Sequence, residues 1–328
     1  MTELAQEKGL FGLVAEELRT VEARLQAPVE GNGLLSSVTR YALASGGKRI
    51  RPALVLLAAR ACGARESSRA VMLASVAEMM HAATLIHDDI LDRAATRRGR
   101  PSTMAQWGAE VSVLVGDFLY SRAVQMLVAD EDLRIMRAFA DATVAMTEAE
   151  VLQLQHLWNL KMPEPDYLAI VGGKTAALMS ASCRGGALVA GPPDNVLEAL
   201  AGYGLHLGIA FQLVDDALDY VAQEERLGKP VASDFREGKI TYPILHVMAV
   251  ASEADRAALA EMAGQRTIDE AGVALLRELV ERYDAVPATM RLVDGSLERA
   301  RACLAPVPDS PARETLLRLA DFVRERDW

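Results

Sequence analysis

Apolar residues recur every third or fourth position along nearly the whole chain, and the strict alternation of a half-buried strand is scarce. This pattern predicts long helices near 8–26, 33–45, 52–62, 68–93, 103–129, 131–159, 165–190, 194–223 and 238–251. Shorter ones follow near 254–263, 268–284, 286–304 and 310–326. Ser67 and Ser68 are placed to cap the fourth helix, and Asp194 follows the breaker Gly191-Pro192-Pro193 to cap the eighth. Connections are short, and no repeat of roughly 20–50 residues or low-complexity stretch interrupts them. The pattern predicts one all-α domain over residues 1–328.

Composition supports helix packing and excludes several functions. Of 328 residues, 51% are hydrophobic, which excludes disorder, and only 5% are aromatic, which favours helices packed through small side chains. A net charge of -10 argues against a nucleic-acid partner. It also repels anionic ligands, unless the chain recruits metal ions or concentrates its basic residues. Cys62, Cys183 and Cys303 are widely spaced and form no CxxC pair, so idle thiols in a reducing compartment are expected, without structural zinc. No basic leader opens the sequence, and no uninterrupted apolar run reaches the ~20 residues that span a bilayer. A cytoplasmic protein with no transmembrane segment is expected.

The candidate chemistry begins at the end of the helix predicted at 68–93, with His87, Asp88, Asp89, Ile90, Leu91 and Asp92. Asp88 and Asp92 are four residues apart, so a helix stacks their carboxylates on one face, with Asp89 turned about 100° away. Their upstream neighbours are apolar. The same DDxxD pattern recurs as Asp215, Asp216 and Asp219 inside another apolar helix, where an unpaired carboxylate is costly. One such motif can be a solvated helix end; two on apolar helices point to hard divalent cations, Mg²⁺ above all. Facing each other, two such helices can hold Mg²⁺ against a diphosphate and activate it as a leaving group.

Local basic groups fit the same substrate. Gly46-Gly47-Lys48-Arg49-Ile50-Arg51-Pro52 is a glycine loop entering a helix, a favourable place for phosphate. Arg97-Arg98-Gly99-Arg100 follows the first acidic motif, and Lys229 and Lys239 follow the second. His81 shares the helical stripe 81, 85, 88 and 92, which makes it a candidate phosphate donor. His87, His156, His206 and His246 are expected to be structural. Gln212 lies one turn before Asp215 and Asp216, and Lys174-Thr175 sits in a helical segment where a buried lysine needs an anionic partner.

Together these stretches resemble the trans-prenyl diphosphate synthases. The matching segments are GGKRIRP at 46–52, HAATLIHDDILDRAATRRGRPS at 81–102, GDFLYSRA at 116–123, EVLQL at 150–154, KTA at 174–176, FQLVDDALDY at 211–220 and GKPVASDFREGKITYP at 228–243. The subgroup they resemble is the bacterial all-trans long-chain one, octaprenyl diphosphate synthase and its relatives. Met80-His81-Ala82 departs from the usual Ile-His-Thr, and Gly172-Gly173 stands where bulkier residues are usual.

The resemblance implies an isoprenoid-synthase-type all-α bundle around a deep central cavity, usually a homodimer. It implies three Mg²⁺ ions, with Asp88, Asp92 and Asp215 as ligands and Asp89, Asp216 and Asp219 supporting them. Lys48, Arg51, His81 and Arg98 correspond to the isopentenyl diphosphate site. Arg97, Lys174, Thr175, Gln212, Lys229 and Lys239 correspond to the allylic diphosphate side, and Lys174, Thr175 and Gln212 also to groups that stabilise developing cationic charge. The reaction it implies adds isopentenyl diphosphate head-to-tail onto an allylic diphosphate such as farnesyl diphosphate, for a quinone side chain. In the family an aromatic residue four or five positions before the first DDxxD stops chain growth; here Thr84 and Ala83 are small, so a product of about eight isoprene units is expected. Met80, Val124 and Leu127 are candidates for the pocket floor. The rival readings are a short-chain farnesyl or geranylgeranyl diphosphate synthase, a terpene cyclase and a non-catalytic regulatory subunit. A cyclase typically lacks the second DDxxD and the Lys48/Arg51/Arg98 group, and a regulatory subunit normally erodes one acidic motif.

Overall fold

The computed structural model describes residues 9–26, 33–44, 47–64, 68–221 and 231–325. Ser67 and Lys229, named above as a cap and a phosphate ligand, lie outside the described residues. Helices make up nearly all the regular structure described. They are α1 (Ala15–Gln26), α2 (Leu34–Leu43), α3 (Ile50–Ala61) and α4 (Ser68–Leu91). A short hairpin follows, β1 (Thr96–Arg97) and β2 (Arg100–Pro101). Then come α5 (Thr103–Trp107), α6 (Ala109–Asp130), α7 (Leu133–Gln155), α8 (Glu164–Val171), α9 (Ala177–Ala190) and α10 (Asp194–Val221). The remainder is α11 (Ser233–Arg236), α12 (Tyr242–Val250), α13 (Glu253–Gln265), α14 (Glu270–Arg282), α15 (Ala285–Cys303) and α16 (Pro311–Arg324).

Departures from the expected spans have local causes. The helix expected at 103–129 is two helices, because Gly108 turns to φ 86 between them. Ser102 caps the first, accepting from the Ala105 N–H at 3.0 Å. The helix expected at 165–190 is interrupted by a π-helical turn at Gly172–Ala176. The hairpin and α11 are too short to leave a periodic signal.

The chain divides into two compact units, each drawn from several segments. The first comprises Met1–Ala142, Leu178–Gly204 and Arg301–Leu319. α4 is its central helix, packed by α6, α3 and α1. Buried residues point every way around α4, including Val71, Leu73, Ala74, Val76, Ala77 and Met79, as expected of a helix apolar all round. α3 is likewise buried except at Arg51 and Arg60. It lies so close to α9 that a Cβ on Gly186 would stand 2.1 Å from the Val55 carbonyl oxygen. Here small residues do what the aromatic-poor composition suggests. The second unit comprises Thr143–Ala177, Leu205–Ala300 and Ala320–Trp328. In it α12 packs against α8 and α14.

By length and composition alone α4, α6 and α10 could each cross a bilayer, because alanines, leucines and valines dilute their few charges. In α4 and α10, 67% and 56% of the apolar window is buried inside the protein, whereas in α6 only 33% is.

Candidate active site

In the first unit the site is built on the end of α4. The helix stops in a Schellman cap, with Arg93 left-handed at φ 51. The Arg93 N–H donates to the Ile90 carbonyl at 3.2 Å, and the Ala94 N–H donates to the Asp89 carbonyl at 2.9 Å. Asp92 lies just past the last helical residue, but its N–H still donates to the Asp88 carbonyl at 2.8 Å. The i, i+4 relation of Asp88 and Asp92 therefore survives, and both remain partly exposed. Asp89 is different: it is 3% exposed and accepts from Arg97 Nε at 2.6 Å. Burial raises its carboxyl above the ordinary range, against the pull of Arg97.

The basic residues that follow are displayed on the hairpin. Thr96 pairs with Pro101 and Arg97 with Arg100. Arg98 (φ 52) and Gly99 (φ 71) form the two-residue connection, the positive-φ pair that a right-twisted hairpin favours. Tyr41 donates to the Pro101 carbonyl at 2.8 Å, and the Arg100 guanidinium lies 4.2 Å above the Tyr41 ring. These contacts dock the hairpin on α2.

The glycine loop meets the hairpin. Gly47 has φ 145, a backbone conformation that L side chains rarely adopt, and it lies against the Arg98 guanidinium. His81 lies among Arg51, Arg98, Arg97 and Arg49; burial first, then these four cations, hold its imidazole well below the usual range. It is therefore neutral at pH 7 and keeps one N–H to donate. A small pocket opens here, with Arg49, Glu78, His81, Arg97 and Arg98 in its wall beside Leu85 and Ile86. Of the four residues assigned to isopentenyl diphosphate, Arg51, His81 and Arg98 are thus brought together, with Lys48 on the adjoining loop. Arg97, assigned to the allylic side, belongs to the same cluster. Arg49 and Glu78 were missed, because their roles depend on a contact between distant segments.

In the second unit the π-turn sets the geometry. It carries Gly173 against α7, where a Cβ would meet the Ala145 carbonyl oxygen and the Ala149 Cβ, both at 2.6 Å. Lys174 then reaches α7, its Nζ 2.6 Å from Glu150 Oε2 and 3.0 Å from Gln153 Oε1. Lys174 is only partly buried, and Glu150, within the EVLQL segment, is an anionic partner for it. Thr175 donates to Gln212 Oε1 at 2.6 Å, and Gln212 Nε2 donates to Asp216 Oδ1 at 2.8 Å. Tyr167, which carries no sequence signal, donates to Asp216 Oδ2 at 2.6 Å. Burial and then the neighbouring Asp234 charge push the Asp216 carboxyl well above the usual range, against the hydrogen bonds from Tyr167 and Gln212.

Asp219 is 0% exposed and holds the next segment in place. It accepts from the Ser233 hydroxyl at 2.7 Å and from the Asp234 N–H at 3.0 Å. Lys239 follows on this segment, its Nζ 2.7 Å from Glu237. Just before it, Gly238 (φ 83) packs on the Trp158 indole, and its carbonyl accepts from the Trp158 backbone amide N–H at 2.7 Å.

The six carboxylates thus divide by environment. Asp88, Asp92 and Asp215 keep partial solvent access, whereas Asp89, Asp216 and Asp219 are buried and hydrogen-bonded to protein. In each unit the partly exposed carboxylates are donors of the kind that suits Mg²⁺. The ion prefers hard oxygens, takes one or two carboxylates and fills its remaining positions with water and substrate phosphate. Among the described residues no group of three or more His, Cys, Asp or Glu side chains lies together in a way that could hold a metal ion by itself.

Comparison with known proteins places this architecture. The sequence profile of the polyprenyl synthetase family matches residues 32–280. Octaprenyl diphosphate synthase of Escherichia coli (strain K12) is 36% identical, covering 96% of this chain and 97% of that protein. Heptaprenyl diphosphate synthase component 2 of Geobacillus stearothermophilus is 35% identical, covering 98% and 99%. Among solved structures, the Caulobacter crescentus CB15 polyprenyl synthase complexed with calcium and isoprenyl diphosphate has a TM-score of 0.93, at 37% identity and 98% coverage of both chains. Fold and site thus define an all-α prenyltransferase that acts on isoprenoid diphosphates. The chain belongs to the polyprenyl synthetase family.

Proposed function

We propose that this enzyme condenses isopentenyl diphosphate head-to-tail onto farnesyl diphosphate, repeatedly, to make an all-trans polyprenyl diphosphate of about eight isoprene units for a quinone side chain. The observation that carries the reading is that one chain holds two DDxxD motifs and a basic cluster around His81. The long-chain relatives, one octaprenyl and one heptaprenyl synthase, support the product class. So does the absence of an aromatic residue at 83 and 84. Ala83 and Met80 are buried and Thr84 is partly exposed, so Thr84 is the more accessible of the proposed pocket residues.

Asp88, Asp92 and Asp215 hold three Mg²⁺ ions in this reading, and Asp89, Asp216 and Asp219 stiffen the helices that carry them. Bound Mg²⁺ supplies charge neutralisation of the departing diphosphate. Lys48, Arg51, His81 and Arg98 bind the diphosphate of the isopentenyl substrate. Arg97, Lys174, Lys229 and Lys239 bind that of the allylic one. Thr175 and Gln212 turn their oxygen dipoles toward the allylic carbons as positive charge develops there. The apolar walls keep water from the cation.

We propose further that the two units act as one catalytic domain, which the continuous family match over 32–280 supports, and that the enzyme is a cytoplasmic homodimer. Exposed Val113, Leu114 and Val128 on the poorly buried α6 support self-association.

The test is to incubate the purified protein with farnesyl and isopentenyl diphosphates plus Mg²⁺ and weigh the extracted product. A mass near the octaprenyl chain is expected; a product of four units or fewer overturns the long-chain reading. Release of diphosphate from the allylic substrate alone would favour a cyclase instead.

A further inference from the structure

Arg49 lies between two residues assigned to the isopentenyl diphosphate site, Lys48 and Arg51, yet it has no role in that assignment. It is the N-cap of α3 and has φ 48, a left-handed conformation that is unfavourable for a side chain as large as arginine. Such strain persists only where the surroundings over-determine it. Its guanidinium shows what does so. Nη1 donates to Glu78 Oε1, and Nε donates to Glu22 Oε1. Nη2 donates to Glu22 Oε2 at 3.2 Å and to the Leu43 carbonyl at 3.2 Å.

The two carboxylates are not equivalent. The Arg49 and Glu78 side chains are 12% and 8% exposed, whereas Glu22 is 41% exposed. Glu78 is thus a buried anion, in the wall of the cavity that also holds His81, Arg97 and Arg98. It stands three residues before His81 on α4, nearly one turn. Through one ion pair it therefore ties the backbone of the Lys48–Arg51 loop to the turn of helix that carries the histidine. It is also a fixed counter-charge for a cluster of cations that would otherwise repel one another before substrate arrives.

We propose that Glu78 is the positioning residue of the isopentenyl diphosphate site. By holding Arg49 it sets the loop so that Lys48 and Arg51 stand at the diphosphate position, and it keeps the arginine cluster assembled in the empty enzyme. This rests on the assignment of Lys48, Arg51, His81 and Arg98 to isopentenyl diphosphate made above.

The test compares Glu78→Gln, Arg49→Lys and Glu22→Gln in the full-length enzyme. Glu78→Gln keeps the shape and removes the charge; Arg49→Lys keeps the charge and loses the fork. Both are expected to raise KM for isopentenyl diphosphate about ten-fold, with KM for farnesyl diphosphate and kcat changed less than about two-fold. Calorimetric binding of isopentenyl diphosphate alone should weaken to the same extent. Glu22→Gln, losing a partner half open to water, should change either KM less than about two-fold. Unchanged isopentenyl KM in Glu78→Gln overturns the proposal. So does an equal loss for both substrates that tracks thermal stability, which is what a purely structural ion pair gives. If Glu78→Gln fails to fold, Arg49→Lys decides by the same readouts. Lys48→Ala and Arg51→Ala separate the two levels. If they leave isopentenyl diphosphate binding intact, the site assignment falls and the proposal with it. If they weaken it while Glu78→Gln does not, only the positioning role falls.

Discussion

His81 carries a pH signature in the stability of the fold. Its folded-state pKa is depressed by burial and by Arg51, Arg98, Arg97 and Arg49, while in the unfolded chain it titrates near 6.5. Below that pH the unfolded state binds the extra proton and the folded state does not, so stability falls as the solution is acidified. The slope from this one group is at most about 1.4 kcal/mol per pH unit. In denaturant titrations of the substrate-free enzyme between pH 7.5 and 5.5, wild type should lose stability more steeply than His81→Gln. Parallel slopes would show that the imidazole is not held neutral. The sequence placed His81 on the acidic stripe but could not show the arginines around it. Arg49 and Arg51 come from 30 or more residues upstream, and Arg97 and Arg98 from the hairpin downstream. Asp88, Asp92 and Asp215 were legible, because i, i+4 spacing on an apolar helix survives folding. Tyr167 was not, because a buried tyrosine announces no partner until the structure puts Asp216 against its hydroxyl.

At the scale of elements, the π-turn at Gly172–Ala176 separates expectation from finding. Periodicity predicts one helix over 165–190, and helix runs on both sides of the turn. The widened turn is a local detail that a repeat near 3.6 residues does not encode. Its glycines, unusual for the resemblance, have a physical reason: Gly173 touches α7 where any Cβ would press on the Ala145 carbonyl. Gly173→Ala should therefore force the turn away from α7 and weaken the Lys174–Glu150 pair. We expect a loss of about 1–3 kcal/mol in stability, the usual cost of overpacking, with KM for the allylic substrate raised more than KM for isopentenyl diphosphate. Calorimetry and steady-state kinetics check both; an unchanged melting temperature with normal kinetics would mean the contact yields freely.

At the scale of the whole molecule, α6 is a helix that one chain leaves incompletely covered. Leu114 is 64% exposed and Val128 is 55% exposed. They lie fourteen residues apart, close to four helical turns, and so share one face. Glutamates at both positions should convert the proposed dimer to monomer in sedimentation velocity while leaving far-ultraviolet circular dichroism unchanged. A protein that is monomeric before substitution would sink the dimer reading.

The amino-acid pattern alone showed that the chain is helical and where nearly every helix lies, and it singled out the carboxylates and cations proposed to carry the chemistry. Those properties follow from local spacing: a 3.6-residue repeat, a capping side chain, two DDxxD runs and a glycine-rich basic loop. Only the tertiary structure decided how those groups are held. It showed that Glu78 grips Arg49, that Glu150 answers Lys174, and that Asp89, Asp216 and Asp219 are buried struts while Asp88, Asp92 and Asp215 meet solvent. Each of these depends on burial or on a partner from another segment of the chain. Neither is encoded in the spacing of residues along one helix.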